Sequence, residues 1–247
     1  MISVAGLLIT GAIGALFALS VESAGNWRDG LPWERALLLS IPRPLPTAVD
    51  WAMLGLPWLG TNLTLLPIIA VVSGWLWKRK GRGDLAAQLM VTVVGSLILN
   101  AALKDAFGRP RPELWSHRGQ YQWAAYPSGH AIVGVAVFFT IALILHRERE
   151  WRWPFVAATM LLVVNLYSRL YLGVHWPTDV LGGLLVGLAW LAVTQYAFSA
   201  FWATRRRRRG GARSLHTAAR DGLIKPHRSR PPAGSHGRVP STPGMRH

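Results

Sequence analysis

The sequence predicts an all-α protein: a bundle of six transmembrane helices with an outer interfacial segment and a disordered basic C-terminal tail. Three observations carry that prediction. Of 247 residues, 51% are hydrophobic and only 15% charged, against roughly 25% charged in an average soluble domain. Six uncharged apolar runs recur along the chain, and about 20 such residues cross a hydrocarbon layer of ~30 Å. Lysine and arginine gather at the exit of every second run, the asymmetry that marks cytoplasmic loops.

In order, the runs are Ile2–Val21, Gly60–Trp77, Leu85–Leu103, Ala131–Leu145, Trp153–Tyr167 and Val180–Trp202. The first lacks the basic flank and small-residue cleavage site of a secretory signal, so it reads as an uncleaved span. The fourth and fifth are short, and span only by recruiting Pro127–His130 and Ser168–Leu172. Lys78, Arg79, Lys80 and Arg82 follow the second run, Arg147, Arg149 and Arg152 the fourth, and Arg205–Arg209 the sixth. That pattern predicts a multi-pass protein of the cell membrane with both termini in the cytoplasm and the loops after spans one, three and five outside. Residues 22–59, broken by Pro32, Pro42, Pro44, Pro46 and Pro57, then form the first outer loop. Its apolar patch Ala36–Ile41 reads as a helix lying among the headgroups.

The chain divides into a membrane domain, 1–204, and a tail, 205–247. The tail holds twelve Lys/Arg and one Asp, so +11 of the net +16 resides there and only +5 remains for the rest. Its Arg, Gly, Pro, Ser and His cannot bury a core, which predicts disorder. A polybasic cytoplasmic segment directly after a span suits anionic lipid headgroups. Nucleic-acid binding is not expected, because the basic excess does not cover a folded face. The absence of cysteine excludes disulfide frameworks, thiolate metal sites and cysteine nucleophiles.

Some cations break the topology rule. Lys104, Arg109, Arg111 and Arg118 lie in or beside the third loop and Arg169 ends the fifth span, all on the predicted outer side. A phosphate held at the membrane surface accounts for them, since the guanidinium fork matches phosphate oxygens; contacts to lipid headgroups account for them equally. Three neighbourhoods bear on the choice. In Lys104–Pro112, Pro110 and Pro112 favour extended chain, holding Arg111 back over the end of span three, with Arg109 competing for that place. In Tyr126–His130, Ser128 is an N-cap and Gly129 allows close backbone approach. The free amides there form an anion site beside His130, although the same residues describe a plain capped helix start. In Ser168–Asp179, Pro177 opens helix six, Asp179 falls in its first turn and His175 just precedes it. The carboxylate can orient one imidazole nitrogen and leave the other to attack. A local hydrogen bond or half of a metal site are the other readings of His and Asp four apart; no further cluster on that face completes a metal's coordination.

Together these segments resemble the signature of the phosphatidic acid phosphatase type 2 (PAP2) superfamily, which includes lipid phosphate phosphatases and vanadium-dependent haloperoxidases: K-x6-R-P in Lys104–Pro112, P-S-G-H in Pro127–His130, and S-R-x5-H-x3-D in Ser168–Asp179. The resemblance implies that His175 is the nucleophile, forming a phosphohistidine, and that Asp179 orients it. It implies that Lys104, Arg111 and Arg169 hold the phosphate oxygens, with Ser128 and Gly129 adding hydrogen bonds. His130 would protonate the leaving oxygen and then activate water, and Ser168 would support the helix end. No metal or other cofactor is implied, because three cations and a helix start supply the charge stabilisation that phosphoryl transfer needs. The substrate class implied is a membrane lipid phosphate, undecaprenyl diphosphate first, then phosphatidic acid or phosphatidylglycerol phosphate. Six apolar spans argue against the soluble haloperoxidases. A lipid phosphotransferase and a non-catalytic lipid-binding protein are the competing expectations, and the second does not require both His130 and His175.

Overall fold

The computed structural model describes residues 2–43, 45–56, 58, 61–118, 121 and 123–220, and among these every regular element is helical. The order is α1 (Ile2–Ser23), α2 (Pro32–Ser40), α3 (Thr47–Gly55), α4 (Asn62–Lys80), α5 (Gly83–Phe107), α6 (Gly129–Gly134), a π-helical turn (Val135–Phe139), α7 (Thr140–Arg149), α8 (Trp153–Tyr171) and α9 (Pro177–Arg220). The chain forms two compact units, Met1–Ala200 and Phe201–His247.

Five stretches are long and apolar enough to cross a membrane: Val4–Ser23, Gly83–Phe107, Gly129–Arg149, Trp153–Tyr171 and Pro177–Trp202. The remaining expected span corresponds to α4, whose apolar stretch, Thr64–Lys78, is shorter. The two short runs lengthen at the anticipated places. Helix starts at Gly129 rather than Ala131, and α8 continues past Tyr167 to Tyr171. Large apolar side chains such as Leu8, Val71, Val94 and Met160 are exposed, as lipid-facing helices require. Inside the bundle, Leu65, Ile69, Leu89 and Val93 of α4 and α5 meet Val133 and Val137. Leu162 and Leu166 of α8 pack on Ala131 and Val135.

Helix α9 runs to Arg220, into the segment for which disorder is expected; residues 221–247 lie outside the described residues. Arginine and alanine are strong helix formers, so the run after Trp202 extends a helix already nucleated by an apolar span without needing a core of its own.

Three local arrangements shape the end of the first unit where α2, the end of α8 and the start of α9 lie. Helix α2 starts at Pro32, and the Glu34 carboxylate accepts from the Leu31 amide at 2.8 Å, half of a capping box. It buries Glu34 and Leu38 while exposing Trp33, Leu37 and Leu39. Arg43 stacks on Trp115 and donates from Nη2 to the carbonyls of Leu170 at 3.2 Å and Leu38 at 3.5 Å, joining the ends of α8 and α2. Glycines then bring α9 against the start of α6. A Cβ on Gly183 would lie 2.7 Å from the Ser128 carbonyl oxygen and 2.8 Å from Ala131 Cβ, and one on Gly182 would lie 2.5 Å from the Tyr126 ring. This small-residue contact lets the Ser128 amide donate to the Asp179 carbonyl at 2.9 Å.

The close approach yields a stability prediction. Gly183→Ala should lower stability in detergent by about 1–3 kcal/mol, because a backbone carbonyl cannot swing aside as a flexible side chain can. Gly74→Ala, with nothing within 4 Å of the new Cβ, should leave the thermal midpoint unchanged or slightly raised.

Candidate active site

The three motif segments meet at one end of the bundle. Lys104 occupies the last turn of α5, which Gly108 ends in the left-handed conformation at φ 54°. His175 precedes α9 in the five-residue link from α8, and Asp179 sits in the first turn of α9. The Asp179 carboxylate is fully buried. Its Oδ2 accepts from the Trp176 amide at 2.7 Å, closing the helix start, and its Oδ1 accepts from Arg109 Nη1 at 2.7 Å.

His175 is 3% exposed. Its Nδ1 lies 3.7 Å from Asp179 Oδ2 and its Nε2 lies 3.5 Å from Arg111 Nη1. A guanidinium only donates, so the lone pair belongs on Nε2 and the proton on Nδ1, toward the carboxylate. Burial first, then the charges of Arg111, Lys104 and Arg169, push the imidazole well below its ordinary value of 6.5. The group is therefore neutral at pH 7, with a nucleophilic lone pair aimed at the cations.

Those cations are held by main-chain carbonyls and a hydroxyl, which leaves their charge uncompensated by carboxylates in the contacts described. Lys104 donates to the Ala124 carbonyl. Arg111 donates to the carbonyls of Val174 at 2.5 Å and Trp123 at 3.0 Å, and its guanidinium lies over the Tyr121 ring. Arg169 is buried and points Nε and Nη2 at Ser168 Oγ, each at 3.4 Å. Ser168 in turn donates to the Asn165 carbonyl at 2.6 Å. Ser128 is buried at the N-cap of α6, and its hydroxyl finds no hydrogen-bond partner in the protein. Gly129 follows it, with its Cα facing the Asn100 amide, and His130 is half-buried in the same first turn.

Two of the other cations that break the topology rule have carboxylate partners. Arg118 pairs with Asp50 at 2.5 Å on the surface. Arg109, which competed with Arg111 in the sequence, turns away from His175. Fully buried, it donates to Asp179, to Thr178 Oγ1 at 2.7 Å, to Glu34 Oε2 at 2.9 Å and to the Trp27 carbonyl at 2.8 Å. The rings of Trp27 and Trp176 flank it, with centroids 4.7 and 5.4 Å from the guanidinium carbon. Glu34 escaped sequence reasoning; a Pro-Trp-Glu run announces a helix start and nothing about a partner 75 positions away. Among the described residues no three His, Asp or Glu side chains group as metal ligands.

The PAP2 superfamily model matches residues 85–203. Phosphatidylglycerophosphatase B of Bacillus subtilis (strain 168) is 34% identical over 145 residues, which make up 55% of this chain and 68% of that protein. The chain belongs to the PAP2 superfamily. An undecaprenyl-diphosphatase of Sulfolobus acidocaldarius is 38% identical over 138 residues, covering 54% of this chain and 62% of its own length. The crystal structure of a transmembrane PAP2-type phosphatidylglycerolphosphate phosphatase from Bacillus subtilis superposes with a TM-score of 0.63 at 25% identity, covering 81% of this chain and 98% of that one. The three signature segments all lie inside the PAP2 match, whereas Trp27 and Glu34 precede it.

The neutral imidazole is directly measurable. In nuclear magnetic resonance spectra of histidine-labelled protein, with the resonance assigned by loss in His175→Gln, His175 should remain neutral at pH 6.5, where an ordinary imidazole is half protonated. A half-protonated His175 at that pH would contradict the site described.

Proposed function

We propose that this protein is a membrane lipid phosphatase that works through a phosphohistidine, with undecaprenyl diphosphate as its leading substrate. The observation that carries the proposal is the convergence of Lys104, Arg111 and Arg169 on a buried, neutral His175 backed by Asp179.

In the reaction, the phosphate oxygens take Arg111, Lys104 and Arg169, the Ser128 hydroxyl and the amides that open α6. His175 Nε2 attacks phosphorus in line, and the bond from phosphorus to the leaving lipid oxygen breaks as the new nitrogen–phosphorus bond forms. Asp179 accepts the Nδ1 proton's hydrogen bond and stabilises the imidazolium created by the attack. His130 gives its proton to the leaving oxygen. It then takes one from water, which attacks the phosphohistidine and releases phosphate. Almost all of the catalysis is positioning and charge stabilisation, the mode suited to phosphoryl transfer.

The substrate class follows from where the cations sit. They lie at the end of apolar helices, so a lipid can present its phosphate while its tail stays among lipid tails. Relatives named for undecaprenyl diphosphate and for phosphatidylglycerophosphate support two members of that class. The alternation of basic exits supports an active site on the outer face and cytoplasmic termini.

Two tests follow. Purified protein should release phosphate from undecaprenyl diphosphate faster than from phosphatidylglycerol phosphate or phosphatidic acid with chelator present. His175→Ala should reduce release by at least about 10³-fold, the scale of losing a nucleophile. Strict dependence on an added divalent cation would count against the mechanism, and preference for another lipid against the substrate. For orientation, a membrane-impermeant thiol reagent should label Glu113→Cys but not Glu150→Cys in intact cells, both positions being exposed. The reverse pattern would place the chemistry in the cytoplasmic leaflet.

A further inference from the structure

We infer that Glu34, on outer helix α2 and outside the three signature segments, is a positioning residue that acts through Arg109 on Asp179 and so on the tautomer of His175. The inference rests on the proposed phosphohistidine chemistry, but its principal readout does not require turnover.

The geometry is a closed set of buried hydrogen bonds. Glu34 Oε2 accepts from Arg109 Nη2 at 2.9 Å and from the Leu31 amide at 2.8 Å. Its Oε1 accepts from the Thr178 amide at 3.0 Å and the Thr178 hydroxyl at 2.6 Å. Glu34 thus grips the first turn of α9 one residue before Asp179, and the guanidinium that faces Asp179, at the same time. Both side chains of the Glu34–Arg109 pair are fully buried, as is Asp179.

Arg109 stands between the two buried carboxylates and donates to both, so a cation separates the two acids. The division of its donors matters equally. Nη2 goes to Glu34 and Nη1 to Thr178 and Asp179 Oδ1, so Asp179 receives only one bond from the guanidinium and keeps Oδ2 for the Trp176 amide, with His175 Nδ1, which has no hydrogen-bond partner in the protein, 3.7 Å from that oxygen. Were Glu34 absent, the guanidinium would be free to rotate into the two-pronged engagement that arginine and carboxylate prefer. Both Asp179 oxygens would then be engaged by the guanidinium, and His175 would lose the carboxylate oxygen, 3.7 Å away, toward which its Nδ1 proton is directed. An interfacial helix far from the signature in sequence therefore decides which imidazole nitrogen faces the phosphate.

The experiment compares the full-length protein with Glu34→Gln and Arg109→Lys, the first nearly isosteric and the second keeping the charge on a smaller head. Nitrogen chemical shifts of His175 report the tautomer, inorganic vanadate inhibition reports the phosphate pocket, and kcat reports turnover. The expected result for each folded variant is a shift of His175 from Nδ1–H toward Nε2–H, as in Asp179→Asn, with kcat down about 10- to 100-fold, the scale of a small misplacement of a reacting group, and vanadate inhibition within about twofold. Adding Glu34→Gln to Asp179→Asn should change the tautomer no further. The inference is overturned if either folded variant keeps the wild-type tautomer, or if vanadate inhibition weakens in step with kcat, which marks general collapse of the pocket. Failure of wild-type protein to release phosphate from any lipid phosphate would overturn the phosphatase reading alone, leaving the tautomer result to decide the role of Glu34.

Discussion

Burying the Asp179 carboxylate at the start of α9 is the constraint on which the rest of the site depends. A lone carboxylate away from water costs several kcal/mol, so it must be met by donors, and each donor fixes part of the structure. The Trp176 amide fixes the helix start and with it the link that carries His175. Arg109 fixes the start of the α5–α6 connection, and through Glu34 it fixes α2. Removing one member of such a buried pair leaves an uncompensated charge, typically a loss of about 3–5 kcal/mol. Helix α2 is thus tied to the bundle by the charges that meet the buried Asp179.

A division of labour among the arginines follows. Arg109 is consumed by carboxylates and is structural charge. Arg111 and Arg169 rest on carbonyls and on a serine hydroxyl, contacts that leave a cation strongly attractive to an incoming anion. Two residues of identical chemistry, two positions apart, are separated by Pro110 and turn in opposite directions, one toward the core and one toward His175. The cations facing the imidazole also keep it unprotonated, so the groups suited to binding phosphate prepare the nucleophile for it.

Much of this was legible in the sequence because membranes impose simple rules. Uncharged runs marked the helices, and the shortness of the fourth and fifth runs required them to lengthen into Pro127–His130 and Ser168–Leu172. The motif spacing placed Ser128, His175 and Asp179 at helix ends, where the structure finds them. Other features were not legible, for physical reasons. No periodicity tells Arg109 from Arg111, because their fates depend on which carboxylates fold back over the loop. Glu34 and Asp50 sit on short helices among prolines, and their partners Arg109 and Arg118 are 75 and 68 positions away. The arginine run after Trp202 reads as solvated by composition, and α9 is helical to Arg220.

The central claim is that His175 itself becomes covalently bonded to phosphorus, and trapping that species tests it most directly. Protein mixed with lipid diphosphate labelled in the transferred phosphate, quenched in base within milliseconds and digested should yield one labelled peptide. The phosphorylated residue should be His175, with acid-labile, base-stable phosphate, and the label should be absent in His175→Ala. Phosphate on any other residue, or rapid turnover with no trapped phosphoenzyme in a variant slowed at the water-attack step, would contradict the account.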